Sequence, residues 1–311
     1  MTARVRLALA SGGVLALFLS VQLGALALVD PLIEADRQVV DDPDDPGVSL
    51  VFFLAILIAT GAMLAAFRYD RDWAVRGLII AVSGGLSWFV FTEVVPPAVA
   101  LVTGNDLAVI AALGVVAGLV LHPEWYVIDF ACVVMGAGAA ALFGISIGLF
   151  PVLVFLVVLA VYDAISVYRT KHMLSLAEGV MDLRIPVVFV VPTSPSFSYR
   201  DMEETPTDPD GREEPRDAVF VGLGDAVIPT ILVASAVAFL EVPTHSLGAI
   251  TVTLPALGAM VGTVVGLAIL LVLVFRGRPH AGLPLLNGFA IAGYLLTAVA
   301  SGLSLSTALG L

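Results

Sequence analysis

Two aspartates stand in long apolar stretches of this chain, Asp163 within residues 159–165 and Asp225 within residues 221–226. A carboxylate inside a membrane-spanning helix is costly, and its presence marks a functional site by default. Two adjacent carboxylates do not readily ionise together and therefore share one proton. The ionised member can then take a proton from water while the protonated member polarises a carbonyl, which suits peptide hydrolysis. A structural hydrogen-bonded pair or a proton relay in a transporter would use the same residues.

The composition indicates that lipid surrounds most of this chain. Its 311 residues are 59% hydrophobic and 13% charged, whereas soluble domains carry roughly 45–50% apolar and about 25% charged residues. We predict an all-α polytopic membrane protein with nine transmembrane helices, each of about 20 mostly apolar residues. The predicted spans are 5–29, 48–67, 74–95, 107–121, 125–143, 149–168, 218–240, 247–275 and 283–304. The first apolar run exceeds the roughly 7–15 residues of a signal-peptide core, so we expect an uncleaved helix.

The distribution of basic residues predicts the orientation of these spans. If the N-terminus lies inside, thirteen of the 14 Lys and Arg residues fall in inner segments, and Arg37 alone falls outside. Basic residues concentrate on the cytoplasmic side of membrane proteins. We therefore expect a multi-pass protein of the cell membrane with a cytoplasmic N-terminus and an extracellular C-terminus. Residues 1–168 would carry helices one to six, 169–217 a cytoplasmic loop, and 218–311 helices seven to nine.

Helices six and seven are consecutive and antiparallel, so both aspartates approach the membrane from its inner side. At a rise of about 1.5 Å per residue, Asp163 lies about 8 Å inside its predicted helix end and Asp225 about 10 Å inside its own. The loop between them divides into three parts. Residues 171–183 have the apolar spacing of an interfacial helix, and the β-branched run 185–191 predicts a short strand that can pair with an extended peptide. Residues 192–215 have the composition of a disordered segment.

Short motifs around the two aspartates resemble the signatures of a known family. Residues 162–163, Tyr-Asp, are similar to the YD motif of presenilins and signal peptide peptidases, and residues 222–225, Gly-Leu-Gly-Asp, to their GxGD motif. The third motif of that family, Pro-Ala-Leu, begins the ninth helix, where this chain has Gly-Leu-Pro at 282–284. A literal Pro-Ala-Leu at 255–257 lies inside the eighth predicted span, so we interpret it as fortuitous.

The resemblance implies an intramembrane aspartyl endopeptidase that hydrolyses peptide bonds within transmembrane segments of other membrane proteins. Asp163 and Asp225 would then be catalytic. Substrate binding or support of the active site would come from Tyr162, Gly222, Leu223, Gly224, Gly282, Leu283 and Pro284. The resemblance implies no cofactor and no metal, and its partners are transmembrane substrates and the lipid bilayer. A cytoplasmic N-terminus fits the presenilin branch, because signal peptide peptidases have the inverted orientation.

The residues alone leave two other functions open. An ion- or proton-coupled transporter would use the paired aspartates as its binding site, and inverted repeats would favour that reading. No such repeat is visible in the sequence. A catalytically silent binding protein is the other alternative.

The remaining polar residues indicate an environment rather than a chemistry. A net charge of −12 argues against nucleic acid as a partner. The acid excess and a single lysine favour a halophilic source, where salt screens self-repulsion, with one acidic loop and GC-rich codon drift as the alternative. The family resemblance implies an archaeal type. Asp129 and Glu93 lie near helix ends, where a charge reaches the interface at low cost. Cys132 is interpreted as a packing residue, and the four histidines do not pair at metal-ligand spacing.

The predicted orientation can be tested with inserted tags. A tag at Arg212 should be inaccessible from outside intact cells and a tag after Leu311 should be accessible, because the basic residues cluster on one side. Labelling of intact and permeabilised cells with an impermeant reagent makes the measurement. The reverse labelling pattern would give the chain the orientation of signal peptide peptidases.

Overall fold

The computed structural model describes residues 3–40, 42–69, 71–94, 106–170, 185–194, 197–199, 218–248, 250–275 and 280–311. Most of this part of the chain is helical. The α-helices are α1 Ala3–Glu34, α2 Gly47–Arg68, α3 Asp72–Val94, α4 Asp106–Leu121, α5 Trp125–Ser146, α6 Leu149–Ile165, α7 Leu223–Ala238, α8 Leu254–Val274, α9 Leu283–Ala300 and α10 Leu305–Ala308. The strands are β1 Val188–Pro192, β2 Ala218–Gly222, β3 Thr244–Leu247 and β4 Ile250–Thr253.

The helices of the described residues are those of a multi-pass membrane protein, as predicted. Seven of them are long and apolar enough to cross a membrane, namely α1, α2, α3, α5, α6, α8 and α9. Helices α4 and α7 stand at the fourth and seventh predicted spans but are shorter apolar helices. The predominantly helical membrane fold is therefore confirmed, whereas the count of nine spans stays a prediction.

Helix α5 is the most buried of the seven candidate spans, and small residues allow its close contacts with α1 and α7. Gly24 of α1 packs against Ala137 of α5, and Gly144 of α5 packs against Ala234 of α7. In lipid, helices associate largely through such van der Waals contacts, and small side chains bring the backbones together. Helix α5 thereby becomes the support on which the helix of Asp225 rests.

Helices α8 and α9 pack through glycines that bring their backbones into contact. Gly258 and Gly262, four residues apart on α8, face Gly293 and Phe289 of α9. Residues four apart lie on one face of a helix, so these glycines form a continuous flat strip. A Cβ on Gly262 would overlap the backbone of Phe289. This contact fixes α9, whose N-terminus carries the 282–284 motif.

Strands β1 and β2 form an antiparallel pair with Val188 opposite Gly222 and Pro192 opposite Ala218. The predicted strand at 185–191 therefore exists but is shifted by a few residues. The predicted start of the seventh helix at residue 218 is wrong, because the first five residues of that span form β2. A short run of β-branched and aromatic residues suits either element, and the pairing with β1 decides between them.

A second hairpin, β3–β4, precedes α8 and corrects the predicted eighth span, which began at residue 247. The two strands pair antiparallel, and Gly248 takes a positive φ of 68° at the turn. Helix α8 begins only at Leu254, where the Thr253 side chain accepts a hydrogen bond from the Ala256 amide at 3.3 Å. The Pro-Ala-Leu sequence at 255–257 thus begins α8, because proline is tolerated in the first turn of a helix.

Several other predicted boundaries differ from the structure. Helix α1 continues through Pro31 to Glu34, five residues beyond its predicted end, and α5 continues to Ser146. Helix α6 ends at Ile165 and is followed by a π-helical turn, Ser166–Thr170. The predicted interfacial helix at 171–183 and most of the segment 192–215 lie outside the described residues.

The glycine contact between α8 and α9 predicts a stability difference between two Gly→Ala variants. Gly262→Ala should lower the free energy of unfolding by about 1–3 kcal/mol, because the added methyl group meets the backbone of α9. Gly85→Ala in α3 is the matched control, since a Cβ there meets nothing within 4 Å, and it should be neutral or stabilising by about 0.5–1 kcal/mol. Thermal unfolding in one detergent compares them. Equal stability of the two variants would contradict the packing described here.

Candidate active site

Asp163 lies in the last turn of α6 and is 5% exposed. Its Oδ2 accepts a hydrogen bond from the Leu283 amide at 3.1 Å, and the Gly282 amide also donates to this carboxyl group. The first amides of a helix have no partner within the helix, and the N-terminus attracts negative charge. Gly282 has no side chain to cap α9, so Asp163 supplies the cap from another helix.

Asp225 is the third residue of α7 and is partly buried. Its two carboxyl oxygens lie 3.1 Å from the point where a Cβ on Gly282 would stand. The carboxyl groups of Asp225 and Asp163 are close enough to interact electrostatically. Both aspartates therefore meet at the N-terminus of α9, Asp163 at its amides and Asp225 at the space left by the missing side chain.

The junction between β2 and α7 determines where Asp225 points. The Leu223 amide donates to the Val187 carbonyl oxygen at 2.9 Å, which extends the β1–β2 pairing to the first helical residue. Gly222 has extended backbone angles and begins the helix. A Cβ on Gly222 would stand 3.6 Å from the Asp225 carboxyl group, so glycine here keeps the approach to Asp225 open. Gly224 is exposed and Leu223 is buried.

The other predicted site residues differ in how close they lie to the two aspartates. Leu283 and Gly282 contact them directly, as described above. Pro284 lines a cavity of about 250 Å³ between α6 and α9. The Tyr162 ring packs edge-to-face against Phe53 of α2, with ring centres 5.9 Å apart. Tyr162 thus contacts α2 from the position next to Asp163 on α6.

Two residues near the site were missed by the sequence reasoning. The Ala281 amide donates to the Tyr168 hydroxyl oxygen at 3.2 Å, which holds the segment just before Gly282. The Asn287 amide nitrogen donates to the Leu156 carbonyl oxygen at 2.8 Å and ties α9 to α6. A buried asparagine in an apolar span is a detectable signal, because such side chains form hydrogen bonds between helices. Tyr168 carries no comparable signal beyond its place near a helix end.

No group of three or more His, Cys, Asp or Glu side chains placed to hold a metal ion occurs in the described part of the chain. The polar groups that the described residues bring together at the site are two carboxyl groups and the backbone amides of Gly282 and Leu283. Carboxyl groups of this kind can act as general acid and general base.

The fold and the site define a class: a multi-pass helical membrane protein with two aspartates brought together at one helix N-terminus. The family described as signal-peptide peptidase, presenilin aspartyl protease matches residues 15–303. The chain belongs to this family, which confirms the resemblance predicted from the motifs. The family consists of intramembrane aspartyl proteases, so the chain is assigned to an enzyme class by its family.

Solved structures agree with this assignment. The chain is similar to a presenilin family intramembrane aspartate protease in a C222 crystal form, at 36% identity and a TM-score of 0.68, covering 93% of this chain and 99% of that one. A structure of a presenilin family intramembrane aspartate protease in a P2 crystal form gives 36% identity and a TM-score of 0.60, covering 93% of this chain and 97% of that one. No curated protein matches the chain.

The close approach of Asp225 to Gly282 predicts the effect of one added methyl group. Gly282→Ala should lower proteolysis of a transmembrane reporter by roughly 3- to 10-fold, because the methyl group would push the Asp225 carboxyl group, which lies 3.1 Å from the added Cβ, out of its alignment with Asp163. The backbone of Gly282 is already helical, with φ −77° and ψ −50°, so alanine adds no backbone strain. Gly288→Ala is the control, because a Cβ there meets nothing within 4 Å. Full activity of Gly282→Ala would contradict this geometry.

Proposed function

We propose that this chain is an intramembrane aspartyl endopeptidase in which Asp163 and Asp225 form the catalytic dyad. The observation that carries the proposal is the convergence of both carboxyl groups on the N-terminus of α9, at Leu283 and the preceding Gly282. Aspartates from two different helices meet there although a charge is costly at such positions. Membership in a family of intramembrane aspartyl proteases agrees with this role.

In the proposed reaction the two carboxyl groups share one proton. The ionised member takes a proton from water, and the resulting hydroxide oxygen attacks the carbonyl carbon of the scissile peptide bond. The protonated member donates its proton to the carbonyl oxygen. The first carboxyl group then protonates the amide nitrogen as the C–N bond breaks, and the second takes back a proton from a hydroxyl group of the intermediate. This leaves a carboxylic acid, an amine and the singly protonated dyad. The amides of Gly282 and Leu283 hold Asp163 in place throughout, since they belong to a fixed helix end.

The substrate has to present an extended peptide to this dyad, because the amides of an intact helix are bonded internally. The sequence suggested that residues 185–191 hold such a segment. The contacts favour β2 instead, because α5 bonds to β1 on the side away from β2, at Val190 and Val188. The register directs the Gly222 amide away from β1, at a position three residues before Asp225. We propose that the extended substrate lies along this end of β2, next to Asp225.

The nine-span topology with an inner N-terminus is part of the proposal. Helix α7 is short, but β2 precedes it and extends the same segment by five residues. Helix α4, at 16 residues, reaches about 24 Å and would require local thinning of the bilayer. The outer position of Arg37 agrees with its ion pair to Glu93 at 3.1 Å, near the outer end of α3. This orientation corresponds to the presenilin branch.

The dyad is tested by changing each carboxylate to the amide of equal size. Asp163→Asn and Asp225→Asn should each lower cleavage of a reporter transmembrane substrate by about 10³-fold or more, because an amide neither takes nor donates the shared proton. Glu241→Gln, an exposed residue beyond α7, is the control and should keep wild-type activity. Cleavage by the purified wild type should also fall at both low and high pH, because only the singly protonated pair is active.

Each result separates the protease from its rival. Retained cleavage in either aspartate variant would overturn the dyad. If the wild type does not cleave but carries ions or protons across proteoliposome membranes, and both variants abolish that flux, the transporter function replaces the protease. Thermal unfolding of every variant verifies that a lost activity is not a lost fold.

A further inference from the structure

Helix α5 holds strand β1 through two side chains of its inner half. The Val190 amide donates to Oδ1 of Asp129 at 2.8 Å, and the Cys132 sulfur lies 3.8 Å from the Val188 carbonyl oxygen. Asp129 is 6% exposed, so it does not reach water freely as an interfacial charge would. The sequence predicts for Asp129 only a charge at a helix end, whereas the structure gives it a defined partner on β1.

The register shows why this contact does not compete with the sheet. The Leu223 amide bonds to Val187, and in an antiparallel pair the bonded positions alternate along the strand. Val188 and Val190 therefore direct their amide and carbonyl groups away from β2. Asp129 and Cys132 occupy that outer side of β1, so β1 lies between α5 and β2.

A second contact from α5 and its N-terminal cap holds the segment that follows β1. The carboxylate of Glu124 accepts hydrogen bonds from the Ser198 hydroxyl at 2.8 Å and from the Tyr199 amide at 3.1 Å. The Tyr199 ring is buried and contacts Phe220 of β2, with ring centres 6.1 Å apart. Phe189 of β1 is fully buried against α1. Strand β1 is thus held both by its backbone and by its side chains.

These contacts form a continuous connection from α5 to the catalytic site. Helix α5 positions β1, β1 positions β2 through five paired residues, and β2 leads into α7 at Gly222. Asp225 follows three residues later. Burying the Asp129 carboxyl group costs free energy unless its oxygens accept hydrogen bonds. Its Oδ1 accepts one from the Val190 amide of β1.

We infer that Asp129 is a positioning residue for the dyad: by accepting the Val190 amide it fixes β1, and through β2 it fixes Asp225 relative to Asp163. This inference rests on the proposed function of Asp225. Without Asp129 the β1–β2 pair would shift relative to α5. A smaller fraction of molecules would then hold Asp225 in the catalytic arrangement with Asp163 and α9. Substrate affinity would change little, because Asp129 does not face the substrate edge at β2.

The test compares two substitutions of Asp129 in the full-length protein, in detergent or in liposomes. Asp129→Leu removes the acceptor at similar size, and Asp129→Asn keeps an acceptor oxygen for Val190. We expect kcat to fall roughly 10- to 100-fold in Asp129→Leu with KM changed less than about threefold, and Asp129→Asn to stay within about threefold of wild type. Ser235→Ala is the matched control. It removes the hydrogen bond from the Ser235 hydroxyl to Ile147, a buried bond of the helix that also carries Asp225.

Amide hydrogen exchange supplies a readout that does not depend on proteolysis. In Asp129→Leu the amides of β1 and β2 should exchange at least about tenfold faster, whereas those of α8 and α9 should keep the wild-type rate. The inference is overturned if Asp129→Leu retains kcat within about twofold, if Asp129→Asn is as inactive as Asp129→Leu, or if Ser235→Ala loses as much turnover. If the wild type proves inactive, the proposed function fails, and unchanged strand exchange in Asp129→Leu would separately contradict the role of Asp129.

Discussion

The site depends on the amides at the N-terminus of α9, which have no hydrogen-bond partner within their own helix. A helix end leaves its first amides without partners within the helix, and a buried amide needs an acceptor from elsewhere in the protein. In this chain the carboxyl group of Asp163 takes that place, bonded by the amides of Leu283 and Gly282. The missing side chain of Gly282 leaves room for Asp225 beside it. One helix end thereby brings together two carboxyl groups that come from different helices.

Several other contacts of the fold position the two aspartates and the N-terminus of α9 relative to one another. The glycines of α8 bring α9 close enough to share backbone contacts, and Asn287 and Tyr168 tie the start of α9 to α6 and its π-helical turn. On the other side, the strand pair β1–β2 carries Asp225 into the first turn of α7. Helix α5 supports α7 directly and β1 by hydrogen bonds. Asp163 is thus positioned by the contacts between α6 and α9, and Asp225 by the β1–β2 pair and α5. The two aspartates meet at the N-terminus of α9.

Much of the site was visible in the sequence because a buried charge in an apolar run has few purely structural explanations. Asp163 and Asp225 stand out on that ground. Residues 282–284 were predicted as site residues because they begin the ninth predicted span, where the family has its third motif, although their letters differ from that motif. The helical membrane architecture followed from composition and from the length of the apolar runs. These signals are local, and each follows from the cost of placing a polar group in lipid.

What the sequence did not reveal depends on contacts between distant segments. The apolar run 218–222 is compatible with either a helix or a strand. Its pairing with residues 188–192 is what makes it a strand. The β3–β4 hairpin was hidden in the same way, because β4 directly precedes α8 and its residues continue the apolar run of that helix. The capping of α9 by Asp163 joins residues 120 positions apart, and the bond from Val190 to Asp129 joins residues 61 apart. In neither case does the local sequence around one residue predict its distant partner.

The central claim is that Asp163 and Asp225 act together on one scissile peptide bond beside the N-terminus of α9. The most direct measurement is a structure of the full chain bound to a peptide whose scissile bond is replaced by a hydroxyl-bearing mimic of the tetrahedral intermediate. We expect this hydroxyl oxygen to lie within about 2.5–3.0 Å of an oxygen of each aspartate, with the peptide extended along β2 near Gly222. A mimic bound away from the two aspartates, or in contact with only one of them, would contradict it.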